Sequence, residues 1–402
     1  MPVTVEAIRA ARDLLVGVAR VTPVAPASYL AGRVGGPVWL KCENLQVAGS
    51  FKVRGAHVRL ARLSAAQRAA GVVAASAGNH AQGVARAARG LGIATTVFMP
   101  VGAPLPKLAA TRAYGAEIVT VGSTIDEALT AAGEFAARTG AVLIHPFDHD
   151  DIVAGQGTIG LEILDQVPDV RTVVVGTGGG GLVAGVATVM GALAPHVRVI
   201  GVQAAQAACY PASLAAGHPV ALDRMRTMAD GIAVGCPGGV PLAIIAERGV
   251  EIRTVSEESL SRGLLLVLER SKLLVEPAGA AGVAALLEDP SGIEPPVVVV
   301  LSGGNIDPLL LARVLEHGLV AAGRHLQLRV RITDRPGGLA ELLADVARLA
   351  ANVISVEHLR SSMGLAVGEV DLALQLETRG TEHCEEVTAA LQASGFRVRR
   401  EE

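Results

Sequence analysis

The chain has 402 residues, half of them hydrophobic and 18% charged, with a formal net charge of −3 at pH 7. That length accommodates two or three compact units with a sizeable core, and so mild a charge argues against a polyanion-binding surface. Aromatic residues are only 2% of the total, too few for the base-stacking platforms of nucleic-acid readers.

Met1 to Arg20 reads as an amphipathic helix carrying Glu6 and Asp13, without the basic-then-apolar order of a signal peptide. No apolar run reaches the roughly 18 residues of a membrane span. The cysteines, Cys42, Cys209, Cys236 and Cys384, stand far apart with no Cys-x-x-Cys pair, as in a reduced, cytoplasmic protein. From about Val38, short β-branched runs alternate with helical patterns. Val72 to Ala75, Thr95 to Met99, Ala116 to Val121 and Ala141 to Ile144 read as strands. His80 to Leu91, Pro106 to Tyr114 and Thr124 to Arg138 read as the helices between them. A second series of strands follows at Thr172 to Val175, Arg198 to Val202, Glu251 to Val255 and Val297 to Leu301. Nearly all are apolar, as expected of parallel strands covered on both faces. The natural architecture is two α/β lobes with a cleft between them.

The pattern changes after Gly323. His325 to Thr333 alternates, with Leu326, Leu328, Val330 and Ile332 on one face. Asp334-Arg335-Pro336-Gly337-Gly338 turns into a helix to about Ala351. Strands at Val353 to Arg360 and Glu369 to Glu377, a helix at Glu382 to Ser394 and a strand at Phe396 to Arg400 complete βαββαβ, the ferredoxin-like unit. The expected domains are therefore 1–323 and 324–402.

Lys52 opens a probable helix, with Gly49 for a sharp entry, Ser50 as N-cap, and Val53, Ala56, Leu60 and Leu63 at helical spacing. A first-turn lysine opposes the helix dipole. The plain alternative is a solvated surface lysine. A lysine beside an aromatic residue, Phe51, and set against backbone amides is what a carbonyl cofactor held as a Schiff base requires. Burial would favour its neutral amine.

Gly176-Thr177-Gly178-Gly179-Gly180-Gly181-Leu182 lies between a strand and a helix, where converging amides hold an anion. Gly176, Gly178 and Gly181 also satisfy Gly-x-Gly-x-x-Gly, so a dinucleotide site is the rival. That site needs an acidic residue after the next strand, and Arg198 to Val202 runs into Gln203 instead. A cup for one phosphate is the better reading. Ser76-Ala77-Gly78-Asn79-His80 occupies a similar strand-to-helix turn and offers amides and a hydroxyl to a carboxylate, with a simple N-cap loop as its rival. His145, Asp148, His149, Asp150 and Asp151 match no defensible metal spacing and read as a strand-end loop leading into Gly155 to Thr158.

These stretches come in a specific order: Glu43 to Ala56, Ser76 to His80, Gly178 to Leu182, Glu276-Pro277-Ala278-Gly279 and Ser302-Gly303-Gly304-Asn305. In that set the chain resembles the pyridoxal-phosphate enzymes of the tryptophan-synthase-β fold type, and within them the threonine dehydratases, also called threonine ammonia-lyases. The resemblance implies pyridoxal 5'-phosphate as cofactor and a smaller lobe formed mostly by about residues 50–155. It implies that Lys52 is the cofactor lysine and general base, that Phe51 packs on the ring, and that Asn79 bonds the ring hydroxyl. Gly178, Gly179, Gly180, Gly181 and Leu182 would hold the phosphate. Ser302 would face the pyridine nitrogen, where a neutral hydroxyl suits β-elimination more than transamination. Ser76, Ala77, Gly78, Asn79 and His80 would bind the substrate, and Glu276 would support the site. No metal is implied: Gln203, Gln206 and Ala208 occupy the region where related serine racemases carry divalent-metal acids. The tail resembles an ACT domain, a small regulatory module, with a ligand-free dimerisation appendage as the alternative.

The expected activity is deamination of L-threonine to 2-oxobutanoate and ammonia by β-elimination of water, with L-serine as a slower substrate. The expected partners are an amino-acid substrate, isoleucine or valine as effector of the tail, and copies of the chain in a homodimer or homotetramer. A serine dehydratase or serine racemase is the second enzymatic reading. Serine racemases of this family carry a base-acting serine where this chain has Ala77, whose methyl cannot move a proton. A different class altogether is an amino-acid sensor with a degenerate lyase half. Lys52, the glycine run and Ser302 together argue against it.

Overall fold

The computed structural model describes residues 3–360 and 364–401; Met1 and Pro2, the start of the expected first helix, lie outside the described residues. That helix spans Val5–Leu14, capped by Thr4, whose hydroxyl accepts from the Ala7 amide, and it buries Val5, Ile8 and Ala11. It stops ahead of Gly17, whose φ of 74° is left-handed.

β1 (Val24–Pro26) and β2 (Val38–Lys41) come first. β3 (Val72–Ala75), β4 (Thr95–Met99), β5 (Glu117–Thr120) and β6 (Val142–Leu143) then form an all-parallel sheet in the order β5-β4-β3-β6, the centre of the small lobe. Successive side chains of β3 point to opposite faces. Val72 and Ala74 pack with Val84 and Ala88 of helix Asn79–Leu91, and Val73 and Ala75 pack with Ala128 and Ala132 of helix Ile125–Thr139. Alternation along one strand thus places helices on both faces.

β7 (Thr172–Gly176), β8 (Arg198–Ala204), β9 (Glu251–Val255) and β10 (Val297–Val300) join the first two strands in the large-lobe sheet, ordered β1-β2-β10-β7-β8-β9. Its pairs are parallel except β1 with β2. β10 is four valines, each at most 1% exposed, and each such side chain contributes about 1.5–3 kcal/mol by leaving water. Valine suits this central position because its branched side chain packs on a pleated surface buried on both sides. No helix among the described residues is long and apolar enough to cross a membrane.

The chain forms two compact units, Met1–Leu311 and Ala312–Glu402. The break falls within helix Pro308–Ala321, not at Gly323 where the strand pattern begins. In the second unit β11 (His325–Thr333), β12 (Asn352–Leu359), β13 (Glu369–Glu377) and β14 (Arg397–Arg400) make an antiparallel sheet in the order β12-β13-β11-β14. Leu326, Leu328, Val330 and Ile332 lie opposite Leu376, Leu374, Leu372 and Val370. This face packs on Leu342 and Val346 of helix Gly338–Arg348 and on Val387 and Leu391 of helix Thr381–Ala393.

Candidate active site

The turns singled out in the sequence follow the carboxyl ends of three parallel strands. β3 leads to Ser76–Gly78, β7 to Thr177–Gly180, and β10 to Ser302–Asn305. Open α/β sheets bind ligands at this end of their strands.

Lys52 is the first residue of helix Lys52–Ala61, and Val53, Ala56 and Leu60 are buried as its spacing implies. Gly49 has φ +70°, and a Cβ there would lie 2.1 Å from Asn305 Oδ1. Ser50 is not the N-cap. It bridges to Gly303, its buried Oγ has no hydrogen-bond partner among the described residues, and Phe51 precedes the helix in αR geometry. The bridge holds Ser50 one position too early to cap. The Phe51 amide donates to the Ser302 carbonyl at 3.2 Å and the Gly304 amide to that of Gly49 at 2.9 Å, so the lysine's entry is stitched to the end of β10.

Lys52 Nζ donates to the Pro146 carbonyl at 3.0 Å and lies 5.2 Å from the centre of the Phe51 ring. Enclosure by its neighbours lowers its pKa to about 8, against the opposing pull of Glu276. An amine so poised switches readily between proton donor and acceptor.

Glu276 is 3% exposed and stands at the start of helix Pro277–Glu288. Burial first, then the Asp230 charge, raises its pKa to about 8, while Asn79, Lys107 and Lys52 act the other way. Asn79 Nδ2 donates to Glu276 Oε1 at 2.5 Å, and Asn305 Nδ2 donates to Asn79 Oδ1 at 2.8 Å. A primary amide has two N–H donors, so Asn79 keeps one for a ligand. A Cβ on Gly303 would lie 2.3 Å from Glu276 Oε1. Only glycine fits there.

In the turn after β3 the Gly78 amide donates to Ser76 Oγ at 3.1 Å. Ser76, Ala77, Gly78 and Asn79 are half-buried. His80 is different: its ring is buried, and Nε2 donates to the Ile144 carbonyl at 2.8 Å. Burial and the nearby Lys52 charge lower its pKa to about 3. It is a neutral imidazole turned into the lobe, so its backbone amide is the part directed to the turn.

The glycine run meets a demanding steric test. Gly180 has φ +95°, and helix Gly181–Leu193 starts after it with no side-chain cap among the described residues. A Cβ on Gly179 would come 2.3 Å from the Phe147 ring, and one on Gly180 would come 1.8 Å from Tyr210 Oη. Tyr210 Oη donates to the Gly179 carbonyl at 3.1 Å. First-turn amides in a walled, uncapped helix end suit a phosphate. Leu182 is buried behind them, and Ser302, 5% exposed, ends the neighbouring strand. The residues present therefore fit pyridoxal phosphate: an amine of lowered basicity, an amide cup and a buried hydroxyl on one rim.

The acidic and histidine loop after β6 is used structurally. His145 Nδ1 accepts from the Asp148 amide at 2.8 Å, Asp148 Oδ1 from the Val240 amide at 2.8 Å, and Asp151 pairs with Arg59 and Arg62. Among the described residues no group of three His, Cys, Asp or Glu side chains is arranged to hold a metal.

Sequence reasoning missed a buried charge network beneath the lysine's helix. Arg54 contacts Glu43 at 2.7 Å and Glu162 at 2.6 Å, and Lys41 contacts Glu162 at 2.5 Å. All four are at most 7% exposed. Thr22 and the Arg20 carbonyl complete the bonding. Lys41, Glu43 and Arg54, charged residues within the apolar stretch Val38 to Ala56, were the available signal. The Pro146 carbonyl, Phe147 and Tyr210 carried none.

The model of the family described as "Pyridoxal-phosphate dependent enzyme" matches residues 16–303. The chain belongs to this family. Among pyridoxal-phosphate dependent enzymes it is 45% identical over 397 residues to an L-threonine ammonia-lyase of Thermotoga maritima, covering 99% of each chain. It is also similar to the solved structure of the processed form of threonine deaminase isoform 2 from Solanum lycopersicum, with TM-score 0.74, 36% identity, and 80% and 91% of the two chains covered. A maize serine racemase superposes with TM-score 0.74 at 32% identity, over 80% of this chain and 99% of the other.

Proposed function

We propose that this chain deaminates L-threonine to 2-oxobutanoate and ammonia by β-elimination of water, with L-serine as a slower substrate. The end-to-end likeness to the Thermotoga maritima L-threonine ammonia-lyase carries this reading. Pyridoxal phosphate, when bound, draws electrons away from the substrate's α-carbon. Lys52 would hold the cofactor, and its Nζ would take the substrate's α-proton as general base. The lowered basicity of that amine makes both roles accessible near neutral pH.

The amides and hydroxyl of Ser76 to His80 would hold the substrate carboxylate, and Asn79 would offer its remaining N–H to the cofactor's ring hydroxyl. Gly178, Gly179, Gly180, Gly181 and Leu182 hold the phosphate. Phe51 would pack on the ring, Ser302 would offer its nitrogen a hydroxyl, and Glu276 braces Asn79. Loss of the β-hydroxyl as water leaves an enamine, which tautomerises and hydrolyses to the keto acid. Ala77 presents a methyl group where proton delivery to the second face would need an acid, which favours elimination over racemisation. Turnover of L-threonine and L-serine, with a parallel assay for D-serine, tests this. Faster turnover of serine, or D-serine as main product, transfers the assignment to the second reading.

Residues 324–402 serve as an ACT-type regulatory module that binds isoleucine or valine. The βαββαβ order supports this, as does the turn Asp334–Gly337 ahead of an uncapped helix. The chain works in the cytoplasm as a homodimer or homotetramer, in keeping with its free cysteines. An effector acts only if it binds two conformations unequally. Calorimetry with either amino acid and the full chain should show binding, and truncation at about Gly323 should abolish any response of the threonine saturation curve. If neither binds and truncation alters only assembly, the tail is an oligomerisation element.

A further inference from the structure

We propose that Lys107 and Asp230 are a positioning pair for the elimination: their ion pair ties the two lobes and keeps Asn79 of the small lobe on Glu276 of the large one. This rests on the elimination reading above, and neither residue has a part in it so far.

Lys107 lies on helix Leu105–Ala113, which follows β4 in the small lobe. Asp230 opens the short 3-10 turn Asp230–Ile232 of the large lobe. The two are 123 residues apart in the chain, and Nζ meets Oδ2 directly. Lys107 is 8% exposed, and a lysine is rarely buried without a partner. Its partner is half-exposed. A pair on open surface would contribute little. This one lies where two pieces of the site depend on it.

The Asp230 turn is wedged between those pieces. A Cβ on Gly231 would lie 2.8 Å from Ala278 Cβ and 3.3 Å from Glu276 Oε1. On its other side, a Cβ on Gly178 would lie 3.1 Å from the Ile232 Cα. A shift of this turn therefore moves Glu276 or presses on the start of the glycine run. The turn is anchored from behind, where the Met228 amide donates to Glu257 Oε2 at 2.8 Å. Lys107 reaches it from the opposite lobe. Across the same cleft Asn79 donates to Glu276 at 2.5 Å. Parting the lobes by one ångström would stretch that bond to about 3.5 Å, past the usual range of a hydrogen bond.

Charge gives the pair a signature. The groups acting on Glu276 are Asp230, which raises its pKa, and Lys107, Lys52 and the Asn79 bond, which lower it. Removing Asp230 alone should move the Glu276 titration down, and removing Lys107 alone should move it up. General loosening of the fold would not separate the two.

The test uses the full-length holoenzyme and five forms: wild type, Lys107→Met, Asp230→Asn, Lys107→Arg, and the exchange Lys107→Asp with Asp230→Lys. Hydrogen exchange in segments 105–113 and 228–232 is measured alongside the pH profile of kcat/KM for threonine. The two neutral variants should exchange faster in both segments and lose on the order of a hundredfold in kcat/KM, the usual cost of an ångström-scale misplacement. The Glu276-dependent limb should move to lower pH in Asp230→Asn and to higher pH in Lys107→Met. Lys107→Arg and the exchange variant should recover protection and most of the activity. Unchanged exchange in the neutral variants, limbs moving in the same direction, or no recovery of protection in the exchange variant overturns the proposal. Should wild type fail to turn over threonine, the substrate reading falls, while the exchange measurement still decides the pair.

Discussion

Gly180 and Gly337 have nearly the same backbone, φ 95° and φ 89°, and each precedes a helix with no side-chain cap among the described residues. Their surroundings differ. Helix Gly181–Leu193 is buried from Gly181 to Met190, and Phe147 and Tyr210 wall in its start. Helix Gly338–Arg348 starts in the open, where a Cβ on Gly337 would meet no described heavy atom within 4 Å. Exposed ion pairs flank it, Asp334 with Arg360 at 2.9 Å and Arg335 with Glu341 at 2.8 Å. Both ends present amides to an anion. Enclosure separates them: away from water a few amides bind strongly and select by shape, whereas in the open they compete with solvent and salt.

The largest effect should come from the enclosed site's amine. Lys52→Ala should lower kcat for threonine by at least about a thousandfold, the scale for losing a nucleophile that also acts as base. Near-normal turnover in this variant would remove Lys52 from the assignment. Next is the wall of the cup. Gly180→Ala places a methyl on Tyr210 at a left-handed position, so cofactor affinity should fall about tenfold to a hundredfold, each tenfold being about 1.4 kcal/mol. Equilibrium dialysis of the cofactor measures it, and unchanged affinity would mean that the run is not the phosphate site.

A third test uses the buried acid. Glu276 has its pKa raised from 4.5 to about 8 in the folded chain. The folded state therefore holds a proton that the unfolded state has lost. Its favourable contribution is complete below 4.5, declines as pH rises, and is gone above about 8. Glu276→Gln stays neutral throughout, so its melting temperature relative to wild type should climb between those limits and level off above them. A constant difference across that range would place the carboxyl in a wetter setting. The smallest effect belongs to the open end. Gly337→Ala should cost about 1 kcal/mol, the strain of a left-handed alanine, seen as a small drop in melting temperature with threonine turnover unchanged. A large loss of turnover there would erase the contrast between the two helix starts.

Much of this fold is legible in the sequence where one force dominates. Val72–Ala75, Thr95–Met99, Glu251–Val255, His325–Thr333 and Glu369–Glu377 begin and end where the β-branched or alternating pattern does. Helix ends drift, by one residue where Asn79–Leu91 meets an expected His80 start and by several where the expected Met1 to Arg20 helix stops at Leu14 and the one expected to reach Ala351 stops at Arg348, because terminal turns are fixed by local hydrogen bonds. Ser50 misleads for a related reason. Its side chain is a good cap in isolation, but pairing with Gly303, far along the chain, takes its backbone first. In the candidate site, the glycines and Lys52 stand out in the sequence because few residues can replace them. The Asn305–Asn79–Glu276 chain and the Pro146 carbonyl are not, because they arise only when β3, β6 and β10 end beside one another.

The buried network of Lys41, Glu43, Arg54 and Glu162 constrains the order in which the protein can be made. Lys41 and Glu162 are 121 residues apart, and Arg54 and Glu162 are 108 apart. Synthesis delivers the two cations and Glu43 long before the second carboxylate. Until Glu162 arrives, drying this region would strand an uncompensated positive charge, a cost of several kcal/mol. The segment that bears Lys52 must stay wet and unsettled on the ribosome while the whole small-lobe sheet is translated. Lys52 is thereby kept out of its final geometry until helix Asp150–Gln166 has emerged, so a truncated nascent chain lacks the finished turn that carries it.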